Sequence, residues 1–84
     1  METQEYSKEI PTRIRLRITS LRGRGKLTSK GEPMSLAAVG RTCEPPVSRN
    51  AVYNVVDGRR KTERIRRAIE HELGEAYWIR NNEK

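Results

Sequence analysis

The chain has no phenylalanine and, in 84 residues, one tryptophan, one cysteine and one histidine. Cys43 alone cannot form an internal disulfide, and with His71 as the sole imidazole a structural zinc site of Cys/His type cannot be assembled. A single histidine also leaves no set of nucleophile, base and orienting partner. The carboxylates fall in charge-mixed stretches rather than in apolar surroundings that would raise a pKa. These scarcities predict no enzyme activity, no metal and no cofactor. No apolar run approaches the ~20 residues that cross a bilayer, and the polar start from Met1 to Glu9 lacks the basic and apolar regions of a secretory signal. We therefore expect no membrane partner and a cytoplasmic location. At 33% hydrophobic, the core must come from Ile, Leu, Val and Ala, which suits a small helical domain and leaves little for an enclosed cavity.

What the chain has in excess is positive charge. It carries 18 Lys and Arg against 11 Asp and Glu, a formal net charge of +7, which predicts a polyanionic partner, nucleic acid first. The excess is uneven. Residues 1–10 sum to −2, 11–30 to +7, 31–58 to −1 and 59–84 to +3. Two basic zones therefore flank a nearly neutral centre, the layout expected of a protein that grips phosphates with its flanks and reads bases with uncharged polar side chains between them. No internal repeat is present, and the run Arg22-Gly23-Arg24-Gly25-Lys26 reads as a flexible basic loop.

Local patterning predicts helices. Over 13–22, Ile14, Leu16 and Ile18 alternate as in a strand, while Ile14, Ile18 and Leu21 fit a helix. Thr12 as N-cap and the stops at Gly23 and Gly25 favour the helix. Ser35 caps a short helix reaching about Cys43, with Leu36, Val39 and Cys43 on one face, and Pro45-Pro46 ends it. Ser48 starts a third segment with Val52, Val55 and Val56 on its apolar face, closed by Asp57-Gly58. Arg49, Asn50, Tyr53 and Asn54 are left on the other face. A fourth helix has Thr62 as N-cap, carries Ile65, Ala68, Ile69 and Leu73 inward and ends at Gly74. Trp78, in the apolar stretch Ala76-Tyr77-Trp78-Ile79, is expected to fold back and plug the bundle. The fold expected is all-α, a compact bundle of four to five short helices over residues 12–80, with residues 1–11 and 81–84 as tails.

The segment from Leu36 to Cys43, a turn, and the segment from Val47 to Gly58 resemble the helix-turn-helix of lambda-repressor-like DNA-binding domains. With the basic helix and the terminal Trp, the pattern over about 12–80 is nearest the small phage regulators of the Ner type. Gly40 stands where the family usually has Ala, at the crossing of the two helices, and Val47 and Val52 look like the apolar pegs of the second helix. The sequence departs from the family in its Glu44-Pro45-Pro46 turn, about two residues longer than usual, and in its long loop from Gly23 to Met34.

The resemblance implies a sequence-specific regulator of double-stranded DNA, a repressor-type protein of a phage or prophage, working in the bacterial cytoplasm or nucleoid. Arg49 and Asn50 become the first candidates for base contact, followed by Tyr53 and Asn54. Arginine pairs bidentately with guanine, and asparagine with adenine, in the major groove. Ser48, the cap of the third segment, and Arg59, Arg60 and Lys61, beside the amino end of the fourth helix, are candidates for phosphate contact. Arg24 and Lys26 join them, with minor-groove entry by their loop as a further option. Arg64, Arg66 and Arg67 are expected to be held by Glu63 and Glu70 in surface pairs. Gly25-Lys26-Leu27-Thr28 lacks the spacing of a phosphate loop, Cys43 reads as a core residue and His71 as exposed. A monomer or weak dimer is expected, paired on DNA if the site is palindromic, since no long apolar seam is left over. The alternatives from other classes are a DNA-bending architectural or excision accessory protein, or a basic protein-interaction module.

Overall fold

The computed structural model describes residues 9–78. They form four helices, α1 (Glu9–Gly23), α2 (Leu36–Arg41), α3 (Arg49–Val56) and α4 (Glu63–Leu73). The nearest thing to a sheet among them is one antiparallel bridge between Leu27 and Pro33. The all-α expectation holds. No helix among the described residues is long and apolar enough to cross a membrane.

Helix α1 resolves the ambiguity of its sequence through Leu16, which is 65% exposed while Ile14, Ile18 and Leu21 are buried. A strand would have put Leu16 with its neighbours. The helix also begins earlier than expected, at Glu9, so Thr12 lies inside it and is not its N-cap. The physical reason is Ile10. Four residues before Ile14, it extends the buried stripe by a turn and is itself only 4% exposed, a burial worth roughly 1.5–3 kcal/mol. Pro11 is tolerated because the first turn has no intrahelical partner for its missing N–H. Residues 9–11 therefore belong to the folded unit rather than to a tail. The rest of that expected tail, and the one expected at 81–84, lie outside the described residues.

The segment after α1 is not the flexible arm its composition suggested. The Arg24 N–H donates to the Ser20 carbonyl at 3.1 Å and the Lys26 N–H to that of Leu21 at 2.9 Å, folding the basic run back onto the helix end. Further on, Thr28 is buried, and its hydroxyl oxygen accepts from the Lys30 and Glu32 N–H groups. Ser29 then donates its N–H and its hydroxyl to the Glu72 carboxylate at 2.9 and 2.6 Å, clasping the loop to α4. Met34, fully buried, anchors the loop's end in the core.

Helices α2 and α3 start as the capping residues require. The Ser35 hydroxyl accepts from the Ala38 N–H at 3.0 Å and that of Ser48 from the Ala51 N–H at 3.2 Å. Between them the Glu44–Pro45 peptide is cis. The two helices meet at Gly40, where a Cβ would stand 2.6 Å from the Val47 carbonyl oxygen and 3.1 Å from a Val52 methyl. In return the Val47 N–H donates to the Gly40 carbonyl at 3.0 Å. Cys43, just past α2, is buried in the same core, and that burial pushes its thiol pKa up. A thiol held in its neutral form is a poor nucleophile, in keeping with its reading as a packing residue.

Helix α4 buries Ile65, Ile69 and Leu73 and ends at Gly74, whose φ of 70° is left-handed and lets its N–H reach the Glu70 carbonyl. At its other end Thr62 occupies the N-cap position but its side chain makes no capping bond. The chain then folds back so that Trp78, as expected, and also Tyr77 are buried. The backbone N–H groups of both donate to one Glu70 carboxylate oxygen, at 2.9 and 3.1 Å. Arg13 of α1 closes this end. Its guanidinium donates to Glu75 at 3.1 Å and lies 5.0 Å from the Tyr77 ring centre, while the Tyr77 hydroxyl donates to Glu75. The Tyr77 hydroxyl and Arg13 hold the Glu75 carboxyl below its usual pKa. Burial and the same Glu75 bond push the Tyr77 phenol well above its own.

Candidate nucleic-acid interface

The α2–α3 crossing decides what α3 can present. Val52, Val55 and Val56 are sunk in the core, so the opposite face of the helix is the one that looks outward. Arg49 and Asn50 lie in its first turn and are exposed, with Tyr53 and Asn54 one turn on and half-buried. On a rise of about 1.5 Å per residue, these four positions span roughly 7–8 Å along one face, a patch that fits a major groove about 12 Å wide. The Ser48 cap fixes the turn that carries Arg49 and Asn50. Its oxygen is engaged as an acceptor within α3, and its O–H remains available as a donor.

The basic residues after α3 divide. Asp57 forms the C-cap, and the Arg59 and Arg60 N–H groups both donate to the Asn54 carbonyl, at 2.8 and 3.1 Å, which sets the backbone of this corner. The Arg59 guanidinium pairs with Asp57 at 3.1 Å, so Arg59 is not the free cation the sequence suggested. The pair is exposed and therefore weak, which allows exchange of Asp57 for a phosphate. Arg60 and Lys61 are exposed and have no carboxylate partner among the described residues. The neighbouring α4 arginines are largely spoken for: Arg67 pairs with Glu63 at 3.2 Å, Arg64 donates to the Pro45 carbonyl at 2.9 Å and Arg66 lies over Trp78. Of these three, the structure places only Arg67 in the carboxylate pairing that helical spacing suggested.

Arg24 and Lys26 stand elsewhere. They line a shallow open groove of about 660 Å³ between the loop and the carboxyl end of α4, together with Arg17, His71 and Glu72. The backbone of this loop is bonded back to α1.

Sequence reasoning missed Arg15. It lies on α1, far from the motif in the chain, yet its guanidinium carbon is 5.6 Å from the centre of the Tyr53 ring, a cation–π distance. A helical wheel places Arg15 away from the buried Ile14, Ile18 and Leu21 face. Nothing in the sequence, however, indicates that α1 crosses α3 at this level.

What the surface offers chemically is recognition. Arginine and asparagine donors project from a capped helix start, and the lysine and arginine charges past the helix end are of the kind that can bond phosphate oxygens. No protein-family model, curated protein or solved structure matches the chain.

Proposed function

We propose that the chain is a sequence-specific double-stranded DNA-binding transcriptional regulator of helix-turn-helix type, a repressor-type protein of a phage or prophage. In this reading α2 and α3 are the motif and α3 is the recognition helix. Arg49 and Asn50 meet base edges in the major groove, Tyr53 and Asn54 extend that contact, and Ser48, Arg60 and Lys61 hold the backbone, with Arg59 joining once it leaves Asp57. The protein acts by occupying its operator, as a monomer or weak dimer that pairs on DNA. The observation that carries the reading is the side-chain-capped start of α3 with Arg49 and Asn50 exposed on it, and, past the other end of the helix, two exposed cations with no carboxylate partner among the described residues.

The test begins with selection from a random duplex pool using the purified protein, followed by competition between the recovered site and random duplex. Arg49→Ala and Asn50→Ala should each reduce the preference for the selected site by roughly 5- to 150-fold, the equivalent of about 1–3 kcal/mol of lost base discrimination. An unchanged preference in both variants would remove α3 as the reading element.

A further inference from the structure

The arginines of α1 have two fates. Arg13 and Arg17, four residues apart, are turned to the C-terminal segment: Arg13 is bound to Glu75 and stacked on Tyr77, and Arg17 donates to the Leu73 carbonyl at 3.1 Å. They help to hold the bundle together. Arg15 and Arg22 are seven residues apart, which returns them to within about 20° of the same azimuth on a helix. Both are exposed, and neither has a carboxylate partner among the described residues. Thr19 lies between them on the same exposed stripe. The stripe starts at α3, because Arg15 stacks on Tyr53.

We propose that Arg15 and Arg22 form a second phosphate-binding track, gripping the backbone of the same duplex that α3 reads; this rests on the reading given under Proposed function. Seven residues of helix separate the two guanidinium anchors by about 10 Å along α1. Phosphates of one strand wind about the duplex axis as they advance along it, and at this spacing the two long side chains can reach separate phosphates of one strand. Stacking suits Arg15 to this task. A guanidinium lying on an aromatic face keeps its N–H donors at its planar edge, where they can take a phosphate in bidentate fashion. Tyr53 then links the two surfaces. Its ring sits on the recognition helix and supports a cation on the neighbouring one.

The experiment compares the full chain with an Arg15→Gln/Arg22→Gln double variant on the selected duplex and on random duplex, over a range of salt concentration. Both side chains are exposed, so the variant should remain folded, with the melting temperature lowered by no more than a few degrees through loss of the Arg15–Tyr53 stacking. Each lost phosphate contact should make the plot of log affinity against log salt shallower by about 0.9, hence by nearly 2 in the double variant. Affinity should fall by the same factor for selected and random duplex, and Arg15→Lys, which keeps the charge, should retain the parent slope. A double variant with the parent slope and affinity overturns the track while leaving the α3 reading intact, provided Arg49→Ala still loses its preference. A changed preference at unchanged slope also overturns it, making Arg15 a positioning residue for Tyr53. If the parent protein shows no salt-dependent duplex binding, the track and the function it rests on fall together.

Discussion

Two regions of this small fold use arginine in opposite ways. At the C-terminal clasp, Arg13, Arg17 and Arg66 are bonded to or stacked on Glu75, the Leu73 carbonyl, Tyr77 and Trp78. Around the α2–α3 pair, the helices are held by valine packing, two serine caps and the close approach at Gly40, and Arg49, Arg60 and Lys61 stay exposed. The formal charge of +7 is thus a poor measure of what a polyanion meets. A good part of it works inside the molecule, and among the described residues the rest is shared between the surface near α3, one stripe of α1 and the loop that carries Arg24 and Lys26.

The sharpest way to break this contrast is at the clasp. Trp78→Ala removes a large side chain that is 7% exposed and should cost about 3 kcal/mol of stability, read by urea or thermal unfolding. The folded fraction of that variant should keep its preference among duplexes. A loss of preference without a loss of stability would mean that the clasp and the reading surface are not separate.

Next in size is Gly40→Ala. Alanine is the better helix former by about 1 kcal/mol, yet its methyl would sit 2.6 Å from the Val47 carbonyl oxygen. Relief requires α2 and α3 to move apart, and overpacking of this kind costs about 2 kcal/mol net. Here, unlike at Trp78, duplex preference should weaken as well, because the tilt of α3 changes. Urea unfolding and competition binding on the same variant give both answers.

The smallest effect is expected from pH. Glu75 has a lowered pKa in the folded chain, so its contribution to stability is present above the ordinary carboxylate range and is lost as pH falls through that range toward the folded value. Because the Arg13–Glu75 pair is largely exposed, the loss should be slight and weaker in high salt. Tyr77 acts at the other extreme: its phenol pKa is raised, so its contribution is complete below about 10 and is lost as pH rises beyond that toward the folded value. Melting temperature against pH should therefore sag at both ends, and Glu75→Gln should flatten the acid side.

Legibility in the sequence followed the range of the forces involved. Capping and periodicity are local, and Ser35, Ser48, Gly74 and the apolar faces of α2, α3 and α4 were readable as they stand. Pro45-Pro46 and the small residue at position 40 gave the turn and the crossing. The start of α1 was missed because an isolated Ile10 within a polar stretch shows its value only when a core lies beneath it. Gly, Arg and Lys predict mobility for residues 22–26 by composition, whereas the backbone there bonds back to α1, and the rest of the long loop is tied down by Thr28 and by Ser29 meeting Glu72, 43 residues away. In the candidate site, Arg49, Asn50, Arg60 and Lys61 stand out through the resemblance to helix-turn-helix regulators, and all four are exposed. The Arg59–Asp57 pair was two residues apart and open to notice. The Arg15–Tyr53 contact depended on a helix crossing that no local pattern encodes.

The Asn54 carbonyl, which accepts from both the Arg59 and Arg60 N–H groups, has a consequence for how the surface meets its partner. Many basic segments are unstructured when free and lose conformational entropy as they dock, which subtracts from every contact they form. Here the corner after α3 already has its backbone set, so what remains to be ordered is the outer part of a few long side chains. If the surface binds DNA as proposed, it can engage and release the duplex quickly without refolding at each encounter, which suits a search among many wrong sites for a right one.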